Sequence, residues 1–110
     1  MAYLIEKTPK EIESLINNPN SEPIILDVRE KWEYDICHIE NSLHIPMGQV
    51  SSRKNELNKN GLIIVVCHHG IRSRIVGRYL TNDGFINIMN LSGGVDLWAK
   101  EIDQTMPKYV

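Results

Sequence analysis

Cys67-His68-His69-Gly70-Ile71-Arg72-Ser73 holds the residues best suited to chemistry, a thiol and a guanidinium five residues apart with a glycine between them. The segment follows the apolar run Leu62 to Val66 and opens a stretch with helical spacing, so the thiol sits where a buried strand meets a helix N-terminus. There the first helical N–H groups lack intrahelical partners and the peptide dipoles add partial positive charge, which stabilises an anion. Gly70 permits the positive φ that would curl successive N–H groups toward the sulfur, and Arg72 adds a permanent cation. Cys67 is therefore expected to work as a thiolate, with His68, His69, Gly70, Ile71 and Arg72 forming the loop that binds its anionic partner. The competing reading makes Cys67 a small core residue, His68 and His69 a wet rim, and Arg72 a solvated helix residue.

The elements that must hold this loop are legible around it. Thr8-Pro9-Lys10-Glu11 predicts a capping box that opens a helix with Ile12, Leu15 and Ile16 on one face. Pro23 to Val28 and Leu62 to Val66 read as strands buried on both faces, Leu43 to Ile45 and Phe85 to Leu91 as further strands. Arg29 to Ile36 suits one or two helical turns and Met47 to Leu57 a weak helix. A helix from Ile71 to Asn82 ends at Gly84, and Val95, Leu97, Trp98 and Ile102 mark a last one. Strands alternating with helices predict an α/β fold, a central, mostly parallel sheet with helices on both faces and the ligand site beyond the strand C-termini.

With 110 residues, 42% of them hydrophobic and 24% charged, the chain suits one domain over 1–110. A net charge of −2 offers no basic excess for nucleic acid, and no apolar stretch suits a membrane span. The absence of a secretory signal pattern from Met1 to Lys10, and two cysteines in dissimilar settings, point to the cytoplasm.

Several motifs in order resemble one family, the single-domain rhodaneses, sulfurtransferases whose loop follows Cys-x-x-Gly-x-Arg. Cys67 to Arg72 matches that loop, Leu26-Asp27-Val28-Arg29-Glu30 the first-strand signature, and His38-Ile39 with Ile45-Pro46 the next block. Gly84-Phe85, Leu91-Ser92-Gly93-Gly94 and Trp98 match the C-terminal block, so the resemblance spans residues 5 to 102. It implies a rhodanese-like fold and a Cys67 that takes sulfane sulfur from an anionic donor such as thiosulfate and holds it as a persulfide. The sulfur then passes to a nucleophilic acceptor such as cyanide, a thiol or a carrier protein, with no metal or organic cofactor.

Two other readings stay open beside it. The persulfide could serve only protein partners, as a relay or binding module. The same thiolate loop could act as a phosphatase or arsenate reductase, although the related cell-cycle phosphatases have a loop one residue longer. Asp27 is expected to pair with Arg72 and hold the loop shut, and Arg29 either to orient an anionic donor or to pair with Glu30 or Glu33. Cys37 stands where the family commonly has glycine; it reads as a structural thiol or as a resolving partner for Cys67, and with the neighbouring histidines as a remote zinc set. His68 and His69 would add charge at mildly acidic pH and favour the donor there. Asp103 to Val110 reads as a tail packed back on the domain.

Overall fold

The computed structural model describes residues 3–110. Thr8 caps the first helix as its sequence predicts: the Glu11 N–H donates to Thr8 Oγ1 at 3.3 Å and the Thr8 N–H to Glu11 Oε1 at 3.0 Å. That helix, α1 (Pro9–Asn17), lies between two strands, β1 (Ile5–Lys7) and β2 (Ile24–Asp27). A short helix α2 (Lys31–Ile36) leads to β3 (Leu43–His44), and α3 (Val50–Arg53) is flanked by 3-10 turns at Met47–Gln49 and Lys54–Glu56. The chain then runs through β4 (Ile63–Val66), α4 (Ile71–Asn82), β5 (Ile88–Leu91) and α5 (Gly94–Glu101).

All five strands run parallel, in the order β1-β5-β4-β2-β3. Every residue of β4 is fully buried, as expected of a central parallel strand whose two faces are both covered. Alternate β4 residues serve two separate cores. Ile63, Val65 and Cys67 pack with Val50 and with Val76 and Leu80 of α4; Ile64 and Val66 pack on the other face with Ile12 of α1 and Val95, Trp98 and Ala99 of α5. Burial on both faces fixes the strand register, because a one-residue slip would exchange the two cores.

The structure adds a strand and shortens another. β1 carries no sequence signal because it is three residues long at the sheet edge, with Ile5 44% exposed. It pairs with β5 through Ile5↔Met89 and Lys7↔Leu91. The strand expected from Phe85 starts only at Ile88, because the Phe85 N–H still closes the C-terminal turn of α4 on Leu80 O at 3.0 Å. Phe85 is buried for packing against the α4 face, which is what gave it strand-like hydrophobicity.

Candidate active site

In an all-parallel sheet the C-terminal ends share one edge, so Cys67 after β4 meets Asp27 at the end of β2 and Ser92 after β5. The loop is seated by α5: the Val95 N–H donates to Cys67 O at 2.9 Å and the Asp96 N–H to His68 O at 3.1 Å. This seat requires glycine at position 94, where a Cβ would collide with the carbonyl oxygens of Cys67 and His68. Gly70 turns the chain at φ 97°, which points its N–H at Cys67 Sγ, 3.1 Å away. Ser73 Oγ donates to the same sulfur at 3.2 Å. Cys67 is 1% exposed, so these two donors take the place of water around it. No side chain caps α4 and no acidic residue lies in its first turn, which leaves the positive end of a 12-residue helix facing the sulfur.

Asn90 of β5, fully buried, braces Gly70 from behind, its Nδ2 donating to Gly70 O at 3.1 Å and to Glu6 Oε1 at 2.9 Å. Glu6 also accepts from Arg74 and Ser92, and so ties β1 to the start of α4. The edge strand missed in the sequence thus supports the loop indirectly.

The charged residues pair differently from the expectation. Arg72 does not reach Asp27; its Nη1 and Nη2 donate to the two carboxylate oxygens of Glu33 at 2.7 and 2.8 Å. Asp27 is taken by Arg29, whose Nε and Nη2 donate to it at 2.9 and 2.7 Å, because the Arg29 N–H bonds Asp27 Oδ1 at 3.1 Å and folds the chain back. Arg29 is fully buried and also donates to Cys37 O at 2.6 Å, so it neither orients a donor nor pairs with Glu30 or Glu33 carboxylates. Asp27 and Arg29 support the loop's neighbourhood from inside the fold. Ile71, 64% exposed, and Arg72 form the first turn of α4, and His69 lies on the rim with its side chain 59% exposed.

His68 is half-buried, stacked on His69 with centroids 3.9 Å apart and on Tyr109 at 4.0 Å. Burial chiefly, then the His69 charge, lower its pKa against the pull of Asp96 and Glu33. Its protonation is therefore moved to more acidic pH than the ordinary imidazole range in which donor assistance was expected. His68, His69 and Asp96 place one ligand atom each within 4.8 Å of one another. They form a poor metal centre, since Lys100 Nζ already holds Asp96 at 3.3 Å. Cys37 is buried in the core on the α1 and α5 face, whereas Cys67 belongs to the α4 face, and both thiols are free. That separation favours the structural reading of Cys37 over a resolving one.

Glu33, Ser73, Asn90 and Tyr109 are the site residues that sequence reasoning did not assign. Ser73 follows Arg72 directly in the same heptapeptide; Glu33 reads in sequence only as a partner for Arg29. Asn90 inside an apolar strand was the one readable anomaly among the others.

Arg72 first, then Tyr109 and the Glu30 backbone, hold the Glu33 pKa down at about 2, against a burial effect that raises it. A carboxyl ionised at lower pH in the folded than in the unfolded chain stabilises fully above the ordinary value of 4.5 and loses that contribution as pH falls toward 2. The difference corresponds to about 3 kcal/mol. Glu33→Gln is expected to flatten the acid limb of stability in urea unfolding between those pH values; acid limbs that stay parallel would contradict the assignment.

The comparisons with known proteins agree with this architecture. The family model of the rhodanese-like domain matches residues 8–101. A putative sulfur carrier protein YrkF of Bacillus subtilis (strain 168) is 45% identical over 75 residues, 68% of this chain and 40% of that protein. Thiosulfate sulfurtransferase GlpE of Coxiella burnetii (strain RSA 331 / Henzerling II) is 35% identical over 75 residues, 68% of this chain and 70% of its own. Among solved structures, a rhodanese-like domain protein from Staphylococcus aureus superposes with a TM-score of 0.79 at 33% identity, covering 90% of this chain and 95% of the other. The chain thus spans less than half the length of the Bacillus relative and most of the Coxiella one. A thiol loop seated between β4 and α4 on a five-stranded parallel sheet, matched by a family model over nearly the whole chain, makes this protein a member of the rhodanese-like domain family, with sulfurtransferases among its relatives.

Proposed function

We propose that the domain moves sulfane sulfur from a small anionic donor such as thiosulfate to a nucleophilic acceptor through a persulfide on Cys67. The observation that carries this reading is the pair of donors, the Gly70 N–H and the Ser73 hydroxyl, aimed at a buried Cys67 Sγ. In the first half-reaction the Cys67 thiolate attacks the outer sulfur of thiosulfate, the sulfur–sulfur bond breaks, and sulfite leaves with the bonding pair. The new terminal sulfur carries the negative charge, and the Gly70 N–H and Ser73 hydroxyl, fixed before the reaction, favour an anion at the site without reorganisation. In the second half-reaction the acceptor attacks that terminal sulfur and Cys67 leaves as the thiolate. With cyanide the product is thiocyanate. Both steps are displacements at sulfur, and the residues named supply everything they require.

Two observations bear on the acceptor and on the phosphatase alternative. Ile71 and Ile75, 64% and 55% exposed, form an apolar rim on α4 beside the loop, which favours a protein such as a sulfur carrier as the natural acceptor or donor. Arg72 has both Nη atoms committed to Glu33, which leaves it poorly placed to clasp a tetrahedral phosphate or arsenate. No helix among the described residues is long and apolar enough to cross a membrane, and two free buried thiols suit a reducing compartment such as the cytoplasm.

Intact mass under non-reducing conditions tests the intermediate. Thiosulfate should add the mass of one sulfur atom to the wild-type chain, and cyanide should remove it with release of thiocyanate. A wild-type chain that gains no sulfur from thiosulfate, nor from a cysteine desulfurase with cysteine, would sink the reading.

A further inference from the structure

Tyr109 lies beyond residue 101, where the family match ends, yet it reaches back to the sulfur loop. Its hydroxyl donates to Glu33 Oε2 at 2.6 Å and accepts from Arg29 Nη1 at 3.0 Å. Its ring lies flat on His68, with centroids 4.0 Å apart and planes 15° from parallel, and meets the edge of Trp32 at 5.7 Å. Burial and the Glu33 carboxylate both push the phenol pKa up, so the hydroxyl remains a donor. The two ends of one side chain thereby hold the two flanks of the Cys67 loop. The ring holds His68, which makes no hydrogen bond through its imidazole among the described residues; the hydroxyl holds Glu33, the partner of Arg72.

We propose that Tyr109 is a positioning residue of the sulfur-transfer site, fixing His68 through its ring and Arg72 through Glu33, and that it sets affinity for the anionic donor more than the rate of the chemical step. This rests on the reading of Cys67 as the sulfur-transfer thiol. Tyr109 touches no reacting atom; its hydroxyl and ring act on residues one and five positions after Cys67. Loosening both flanks would enlarge the range of loop conformations that the donor must select from, which weakens binding, while the Gly70 and Ser73 donors that serve the chemical step remain in place.

Tyr109→Ala and Tyr109→Phe, each assayed with thiosulfate and cyanide at a temperature where both are folded, test the proposal. Tyr109→Ala is expected to raise KM for thiosulfate about five- to tenfold with kcat within about twofold. Tyr109→Phe, which keeps the stack and loses the hydroxyl, should fall between it and the wild type. A second readout needs no turnover: the His68 ring followed by NMR against pH. The charged and titratable groups around His68 are His69 on its own loop, Asp96 on α5, Glu33 on α2, buried Arg29, and Cys37 and Lys108 of the adjoining cavity, with Tyr109 as its cover. Uncovering the ring should move its titration upward in Tyr109→Ala and leave it nearly unchanged in Tyr109→Phe. A wild-type KM in Tyr109→Ala, equal losses in kcat and kcat/KM, or a His68 titration that does not move would each overturn the proposal. Absence of a thiosulfate persulfide on the wild-type chain would instead count against the sulfur-transfer reading, and the His68 titration would still decide whether Tyr109 positions the loop.

Discussion

Cys67→Ser is expected to lower sulfur transfer from thiosulfate to cyanide by at least about a thousandfold while costing only about 1 kcal/mol of stability. The asymmetry follows from the site. A serine hydroxyl has nearly the shape of the thiol, and its oxygen would find the Gly70 N–H and Ser73 hydroxyl already aimed at it. As a nucleophile toward sulfur, however, an un-ionised hydroxyl cannot replace a thiolate, and an alkoxide would form no persulfide. Cys37→Ser is the matching control. Its sulfur faces Arg29 Nη1 at 3.9 Å within the opposite core, and turnover should persist. Steady-state assays with urea unfolding of the same preparations separate the cases. Turnover in Cys67→Ser within tenfold of wild type would remove Cys67 from the mechanism, and equal loss in Cys37→Ser would contradict a lone reactive thiol.

The pairing of charges changes how the site stabilises an anion. In sequence, Arg72 reads as a cation beside the thiol that pairs with Asp27, and Arg29 as one that could orient the donor. In the structure each is matched by one carboxylate, Glu33 and Asp27, so the four side chains sum to no net charge. What faces the sulfur is a backbone N–H, a hydroxyl and the N-terminal end of α4. Such groups are oriented dipoles held by the fold, and they suit an anionic partner without a desolvated, unpaired cation beside it. Arg72 then serves mainly to lock α4 to α2 across the mouth, with Tyr109 as the third member of that lock.

Legibility in the sequence followed the range of the interaction. The capping box at Thr8, the strand Ile63–Val66 and the helix Ile71–Asn82 depend on neighbours a few residues away and were readable to within a residue. The Cys67, Gly70 and Arg72 loop was readable for the same reason, since its curl is local. Glu33, Asn90 and Tyr109 are held by pairs 39, 20 and 76 residues apart, Arg72 to Glu33, Asn90 to Gly70 and Tyr109 to Glu33. Partner choice over such separations depends on where α2, β5 and the tail come to rest. The Asp27 to Arg72 expectation failed on the opposite ground: Arg29, two residues from Asp27, claims the carboxylate through a local turn.

Removing that local claimant should destabilise the fold strongly. Arg29 is fully buried, its guanidinium held by both oxygens of Asp27, the Cys37 carbonyl and the Tyr109 hydroxyl. Burial opposes the charged state, yet Asp27 and then Tyr109 outweigh it and hold the guanidinium charged. In Arg29→Ala the Asp27 carboxylate, itself 1% exposed, is left without its counter-ion, and the Cys37 carbonyl loses its 2.6 Å donor. Breaking one side of a buried pair costs about 3–5 kcal/mol, a large share of the stability of a domain this size. Arg29→Lys should recover little, because an ammonium cannot reproduce the fork that spans Asp27 Oδ1, Oδ2 and Cys37 O. Asp27→Leu with Arg29→Met, by contrast, removes both charges together and should lose less than Arg29→Ala alone, since no ion is stranded. Urea midpoints of the three variants decide it. A loss below about 1 kcal/mol in Arg29→Ala, or a double variant weaker than the single one, would mean that the pair contributes through packing and its charges matter little.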